Sequence, residues 1–365
     1  MKKKNLILYL PNFSAGGAAS SIIRIIEKIN KKKFNLYVIS IGKNYYKNSL
    51  KIHCKKIIEL ENTRTLFSFK KLIEFLKNLK NEKNIFVSNI NYANILSIIF
   101  IKVINRIKNL KLVLIERTPF EELKIYYTFT DFIKKKVILF LVYFFYKKAD
   151  LIICNSKKTS KDFQKFTKKK CFSVYPQPIY ENKKFKFRKI KRNFEVITIG
   201  RLSREKRIED IIFALSNLKI KNLKLSILGE GSQKNKLQKI AKAKKLSVNF
   251  VNYNLKNEKN YFKKANLYIN SSDFEGFPST VVQALNESIP VVCTKSYGGI
   301  YEILNYGKLG KFYKSRNHYQ LSKIIEKIYI NYGSTIYNLK RNKKYLNKFL
   351  NKKNFSKYNK LLEKL

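Results

Sequence analysis

The chain has 365 residues, enough for about two domains, and 45% of them are hydrophobic, enough to build a core in each. Its 78 Lys and Arg against 24 Asp and Glu give a formal charge of +54, which with that apolar content excludes an acidic disordered tail and a wholly disordered basic chain. Twelve Gly and six Pro exclude a collagenous or proline-rich protein, and the charge points to phosphate-bearing partners: nucleic acid, anionic lipid or nucleotide.

The chain starts Met1-Lys-Lys-Lys-Asn, but the apolar run after it, Leu6–Leu10, is too short for a signal-peptide core and reads as a first strand. A glycine-containing loop follows, then a helix with apolar positions at Ile22, Ile25, Ile26 and Ile29. Further strands are predicted at Phe34–Ile41, Ile57–Leu60, Ile85–Ser88, Leu112–Ile115, Leu151–Ile153 and Phe172–Tyr175. Helices at Phe69–Leu79 and Ala93–Ile107 lie between them. Val137–Tyr146, flanked by Lys134–Lys136 and by Lys147 and Lys148, is a further apolar helix. It spans about 15 Å, too short to cross a bilayer. A core helix packed across the first sheet is the favoured reading; the alternative is partial insertion at an anionic membrane face.

Pro176 and Pro178 precede a stretch dense in Lys and Arg, Tyr180–Arg192, taken as a linker. The alternation then restarts with strands at Phe194–Ile199, Leu223–Leu228, Val248–Val251, Asn266–Ile269 and Pro290–Cys293, and a helix at Arg207–Leu218. Short, continuously apolar strands separated by helices mean parallel sheets covered on both faces. The expected fold is therefore α/β, two Rossmann-like doubly wound domains facing across a cleft. The expected domains are residues 1–180, a linker 181–192, a second domain 193–335, and closing helices over 336–365. Cys54, Cys154, Cys171 and Cys293 are scattered, with two histidines in the chain, so neither a disulfide framework nor a zinc site is expected.

Open α/β sheets bind ligands at the carboxyl ends of their strands, and the unusual residues sit there. Gly16 and Gly17 follow the first strand, where glycines let a backbone approach a phosphate. A plain turn explains them equally well. Gly200-Arg201-Leu202-Ser203-Arg204-Glu205-Lys206 follows the first strand of the second half, and its Arg and Lys can clamp a diphosphate, one as a fork and one as a point charge. In so basic a chain a solvated charge run is the competing explanation. Asn270 to Leu285 carries Glu275-Gly276-Phe277-Pro278, a helix start at Pro278-Ser279, and Gln283 two turns after Glu275. Amides around Ser279, Thr280 and Val281 can cradle an anion.

This stretch resembles the E-G-F-P…E-A-L region of the retaining glycosyltransferases of family 4, which have the GT-B fold. Gly200-Arg201-Leu202…Lys206 is similar to that family's G-R-L-s-x-x-K, and Leu228-Gly229-Glu230-Gly231 to its v-G-x-G. Ala265 to Ser272, Pro290-Val-Val with Gly298-Gly299…Glu302, Gly16-Gly17, and Ala149-Asp150 to Ser156 agree in order. The likeness is specific from Arg201 to Glu302 and loose elsewhere. It implies a nucleotide-sugar donor, a UDP-sugar, and a glycan or lipid-linked acceptor of bacterial surface polysaccharide, lipopolysaccharide or glycoprotein synthesis. It implies that Arg201 and Lys206 hold the diphosphate, that Glu275 meets the donor sugar, and that Gln283 binds the ribose. Gly16, Gly17, Gly200, Gly229, Gly276, Phe277, Ser279 and Thr280 would complete the donor site. No metal and no other cofactor is expected, and the chain has no D-x-D motif.

The departures are specific. Gln283 replaces the family's second glutamate, so weaker donor affinity is expected rather than lost activity. Ser288 stands where many members have Gly, and Asn252 replaces another common Gly. At the strand end where many members carry a histidine this chain has Glu116-Arg117-Thr118-Pro119, similar to an E-R-x-P of some bacterial members. Glu116 and Arg117 are read there as acceptor contacts or as a buried ion pair. A cytoplasmic protein, peripheral on the inner face of the cytoplasmic membrane, is expected. The competing class is a nucleic-acid-binding or membrane-surface-binding basic protein without transfer activity. The 24 Tyr and 27 Phe sit in apolar runs and no nucleic-acid-binding motif is present, so no nucleic-acid partner is expected.

Overall fold

The computed structural model describes residues 3–13, 17–61, 64–79, 83–176, 183–253 and 255–365. It divides into two compact units, one made of Met1–Gln177 with Asn351–Leu365 and the other of Pro178–Leu350.

In the first unit β1 (Lys4–Tyr9), β2 (Phe34–Ser40), β3 (Lys56–Glu59), β4 (Asn84–Asn89), β5 (Leu110–Glu116), β6 (Leu151–Cys154) and β7 (Cys171–Ser173) form one sheet. Its order is β3-β2-β1-β4-β5-β6-β7, and every pairing is parallel. Side chains alternate across β1. Leu6 and Leu8 enter one core layer with Ile85 and Val87, while Ile7 and Tyr9 enter the other with Phe86 and Leu112. Both faces are covered, which is why these strands read as unbroken apolar runs. The order changes direction between β1 and β4, the switch point where such sheets place ligands.

In the second unit β8 (Phe194–Ile199), β9 (Leu223–Leu228), β10 (Val248–Val251) and β11 (Leu267–Asn270) are followed by the two-residue strand β12 (Phe274–Glu275). Then come β13 (Val291–Thr294), β14 (Tyr297–Gly298) and β15 (Lys311–Tyr313). Six of these form a parallel sheet ordered β10-β9-β8-β11-β13-β15, and β12 pairs with β14. Two parallel α/β units are what the apolar patterning predicts.

Four sequence expectations change. Residues 183–192 are not a free linker, because Arg188 spends its guanidinium on the carbonyls of Phe262, Lys263, Ala265 and Glu287 at 2.7–3.3 Å. Lys183 and Lys186 give their amides to Asn286 Oδ1 and Ser288 Oγ, both at 3.1 Å. Residues 336–365 are not one closing segment. Up to Leu350 they belong to the second unit, while helix Asn351–Glu363 seats Phe355, Tyr358 and Leu362 on the Leu6–Leu8 face of the first. The helix after β4 is α-helical over Asn91–Ser97 and continues as a π-helix over Ile98–Ile104. The apolar helix is longer than read, Phe129–Phe145, and among its residues Val142 alone is fully buried. It is not a core helix.

Ser288 shows why a glycine suits its position. Its φ is +62°, in the left-handed region, and its hydroxyl accepts from Lys186 N and from buried Lys343 Nζ at 3.0 Å. Those bonds offset the strain that a side chain meets there.

Candidate active site

The turn after β11 builds the centre of the second unit. Glu275 lies on β12, and its Oε1 accepts from Lys206 Nζ at 2.5 Å, Ser272 Oγ at 2.8 Å and Asn270 Nδ2 at 3.4 Å. The two charged side chains are 19% and 17% exposed. Burial pushes the Glu275 carboxyl up, but the Lys206 charge and the three hydrogen bonds outweigh it and hold it below the usual range. Glu275 is thus an anion with one oxygen fully engaged; Oε2 accepts no hydrogen bond among the described residues.

Glycine geometry places that carboxylate. Gly298 has φ +104° and pairs opposite Glu275 across β12 and β14, where a Cβ would stand 1.8 Å from the Glu275 carbonyl oxygen. Gly299 N donates to Gly276 O at 3.1 Å and closes the same turn. In the sequence Gly298 and Gly299 stand out only through a resemblance, and Asn270 and Ser272 carry no assigned role. The signal for these last two was their polarity at a strand end, beside a carboxylate needing donors.

Arg201 and Lys206, paired in the sequence reading, differ in the structure. Arg201 is 81% exposed and meets Glu205 only at 3.5 Å. Lys206 is locked on Glu275, and its carbonyl accepts from Ser271 Oγ at 2.6 Å. Gly200 begins the turn, with the Lys206 stem 4.0 Å from where its Cβ would be. Gly229 has a packing duty that the sequence did not assign. A Cβ there would lie 1.9 Å from Gly200 O, so this glycine lets the Arg201 turn pack against β9.

The helix Ser279–Asn286 starts after Pro278 with no side-chain cap; Val281 N, expected to face an anion, donates instead to Pro278 O at 3.1 Å, which leaves the Ser279 and Thr280 amides as its candidate donors. Thr280 points inward, its Oγ1 2.7 Å from the hydroxyl of buried Tyr268. Its side chain, half-buried, ties the start of the helix to β11. Phe277 is likewise internal, its ring 5.4 Å edge-on from Phe349. Ser279 and Gln283 are half-buried, and neither side chain makes a hydrogen bond among the described residues.

In the first unit Gly17 opens the helix Gly17–Lys28, with no atom of the described residues within 4 Å of a Cβ built on it; Gly16 lies outside the described residues. Glu116 ends β5 fully buried, accepting from Asn94 Nδ2 at 2.7 Å and from the Tyr146 hydroxyl. Burial raises its carboxyl to about 7 against the bonds from Tyr146, Asn94 and Asn91. Arg117 turns elsewhere and forks onto Asn89 Oδ1 at 2.8 and 3.3 Å, while burial lowers its guanidinium to about 10. The Glu116–Arg117 ion pair, one of the two readings of this motif, is not formed among the described residues. Both nevertheless stand at the carboxyl edge of the sheet, beside its switch point.

Residues 180–346 match the family described as glycosyl transferases group 1. The chain is 29% identical over 314 residues to an uncharacterized glycosyltransferase of Methanocaldococcus jannaschii, covering 78% of this chain and 73% of that one. It is 35% identical over 182 residues to the Campylobacter jejuni N-acetylgalactosamine-N,N'-diacetylbacillosaminyl-diphospho-undecaprenol 4-alpha-N-acetylgalactosaminyltransferase, covering 47% of this chain and 48% of that one. In fold it is similar to Anabaena HepE in complex with UDP-glucose, with a TM-score of 0.79, 18% identity, and coverage of 99% and 100%. The family match spans Lys206, Glu275 and Gln283 together, on two parallel α/β units of the kind that structure shares. The chain is a glycosyltransferase of the GT-B fold whose residues 180–346 match the group 1 glycosyl transferase family.

Proposed function

We propose that this chain is a retaining, metal-independent glycosyltransferase of family 4 type. It moves a hexosyl or N-acetylhexosaminyl group from a UDP-sugar to a glycan or lipid-linked acceptor in bacterial surface-glycan synthesis. One observation carries the donor assignment: an ionised Glu275 whose Oε1 is saturated by Lys206, Ser272 and Asn270 while Oε2 stays available. A carboxylate so held can accept from sugar hydroxyls without moving. Arg201 and Lys206 meet the diphosphate, and their charge is worth most as the leaving group departs. Gln283 accepts from the ribose, and the uncapped amides at Ser279 and Thr280 face the phosphates.

In the reaction the acceptor oxygen bonds to the anomeric carbon on the face from which the diphosphate leaves. The acceptor proton passes to a phosphate oxygen of the departing UDP, so no protein base is needed. Glu116 and Arg117 serve the acceptor side. The acceptor named for the Campylobacter relative is a polyprenyl diphosphate, and a lipid-borne acceptor requires work at a membrane surface. We accordingly assign the chain to the inner face of the cytoplasmic membrane as a peripheral protein.

A thermal-shift panel of nucleotide sugars tests this reading. At 100 times Kd a donor adds about 2.7 kcal/mol, a rise of roughly 5–10 °C for a domain of this size. UDP-sugars should give that rise. A flat panel, together with salt-sensitive retention of RNA or DNA, would replace the reading with the nucleic-acid alternative.

A further inference from the structure

We propose that the helix Phe129–Phe145 is the element by which this protein docks on an anionic lipid surface, lying in the plane of the headgroups with one face inserted. The proposal rests on the membrane contact included above and not on the transfer chemistry.

The helix has two faces. Asp131, Lys135, Ile138, Leu139, Val142 and Phe145 recur every three or four residues and turn inward. The opposite stripe is also apolar, which is unusual for a helix on a folded unit. Phe129 is 75% exposed, Phe140 60%, Phe144 52%, Val137 50% and Ile133 47%. Phe132 and Tyr143 widen the stripe and remain more than a third exposed. Rings gather at both ends: Phe132 packs on Tyr126 at 4.9 Å, and Phe144 on Phe140 at 4.5 Å. Contiguous apolar surface of this kind marks a surface that something covers.

Charge selects the occupant. Lys136 Nζ lies 5.4 Å from the Phe132 ring and Lys147 Nζ 5.0 Å from the Tyr143 ring, so ammonium groups edge the aromatic stripe at each end. Lys134 and Lys148 are exposed beside them. Lysine stems that cover rings while their heads reach outward suit a boundary between hydrocarbon and phosphate. A second copy of this chain would carry the same +54, so self-association is disfavoured where an anionic partner is attracted. The helix has 17 residues, about 25 Å, and no helix of the described residues is long and apolar enough to cross a membrane. An in-plane position remains.

The test uses the full chain and vesicles of phosphatidylcholine, alone or with about a third phosphatidylglycerol. The protein contains no tryptophan, so Phe140→Trp installs a single reporter. Its emission should shift to the blue on anionic vesicles, and sedimentation should show binding that falls as salt rises. The double variant Phe140→Ser, Phe144→Ser should bind at least about tenfold more weakly. Lys134→Gln and Lys136→Gln should each cost about fivefold on the anionic vesicles. The UDP-induced thermal shift, read on the same samples, should be unchanged in every variant. Anionic binding that survives the serine double variant would overturn the proposal, since lysines elsewhere would then carry it. A concentration-dependent dimer abolished by the same variant would also overturn it, assigning the face to a second copy. For the unaltered chain, no binding to anionic vesicles with an intact UDP shift condemns the docking helix alone, and a missing UDP shift with intact vesicle binding condemns the donor reading alone.

Discussion

Arg201→Ala and Lys206→Ala should slow sugar transfer alike and destabilise the protein unequally. Each removes a cation from the proposed diphosphate site, and one preorganised donor to a leaving group is worth about 2.7–4 kcal/mol, or two to three orders of magnitude in kcat. Their folded contexts differ. Arg201 is 81% exposed, with its nearest carboxylate at 3.5 Å, so its loss should change stability by no more than about 0.5 kcal/mol. Lys206 sits 2.5 Å from Glu275, both side chains less than a fifth exposed. Removing it strands a carboxylate that keeps only Ser272 and Asn270. Breaking a fully buried pair costs about 3–5 kcal/mol, and partial exposure here lowers the expectation to about 2–4 kcal/mol. Urea unfolding of both variants, beside UDP release in the presence of donor and acceptor, reads the two quantities. Near-wild-type turnover in Arg201→Ala would remove it from the site. Equal stability in the two variants would mean that the Lys206–Glu275 pair does not organise the turn.

Gln283→Glu should lower the donor KM about fivefold with kcat little changed, since a charged acceptor on a ribose hydroxyl gains of order 1 kcal/mol in both ground and transition states; weaker UDP binding would refute the ribose assignment. Glu116→Gln should flatten the stability of the first unit against pH. In the native protein Glu116 keeps its proton up to about 7, so the stability it lends is full below the ordinary carboxylate value of 4.5 and drains as pH rises through 7. The amount is about 3 kcal/mol, and identical pH profiles for variant and wild type would contradict it. Gly298→Ala should displace Glu275 and cost at least about 1–3 kcal/mol from backbone strain alone, whereas Gly17→Ala, with open space around it among the described residues, should fold normally; circular dichroism melts of the two compare them directly.

Where the sequence was legible, a local pattern and the global fold demanded the same thing. Leu6–Leu10 reads as a buried parallel strand because both its faces are covered, Leu6 and Leu8 on one side and Ile7 and Tyr9 on the other. The misreadings share a cause as well. Phe129–Phe145 is apolar nearly all round, and apolarity cannot say whether a face is covered by protein or left for something else. Residues 183–192 look like a solvated charge run, yet Arg188 in that run is a fork that closes four carbonyls of the second unit. A count of lysines and arginines contains no such geometry.

The same limit shapes the site. Lys206 and Glu275 are both visible in the sequence, as two ligand contacts 69 positions apart; that each is the other's partner is a tertiary fact. The pairing changes their chemistry. With Glu275 ionised, the cluster of Arg201, Lys206 and Glu275 carries a net single positive charge toward a diphosphate, less than two free cations would offer. A glutamate at 283 would place a fourth charge on the same ligand's surroundings, while the glutamine leaves that balance positive. In a chain of +54 the long-range field already draws anions in, so the local site need not add attraction; its task is to hold Glu275 and the phosphate donors in fixed positions. Glycines at 229 and 298, where a side chain would strike backbone, and the polar pair Asn270 and Ser272 perform that task, and for Asn270 and Ser272 neither motif nor charge assigns it.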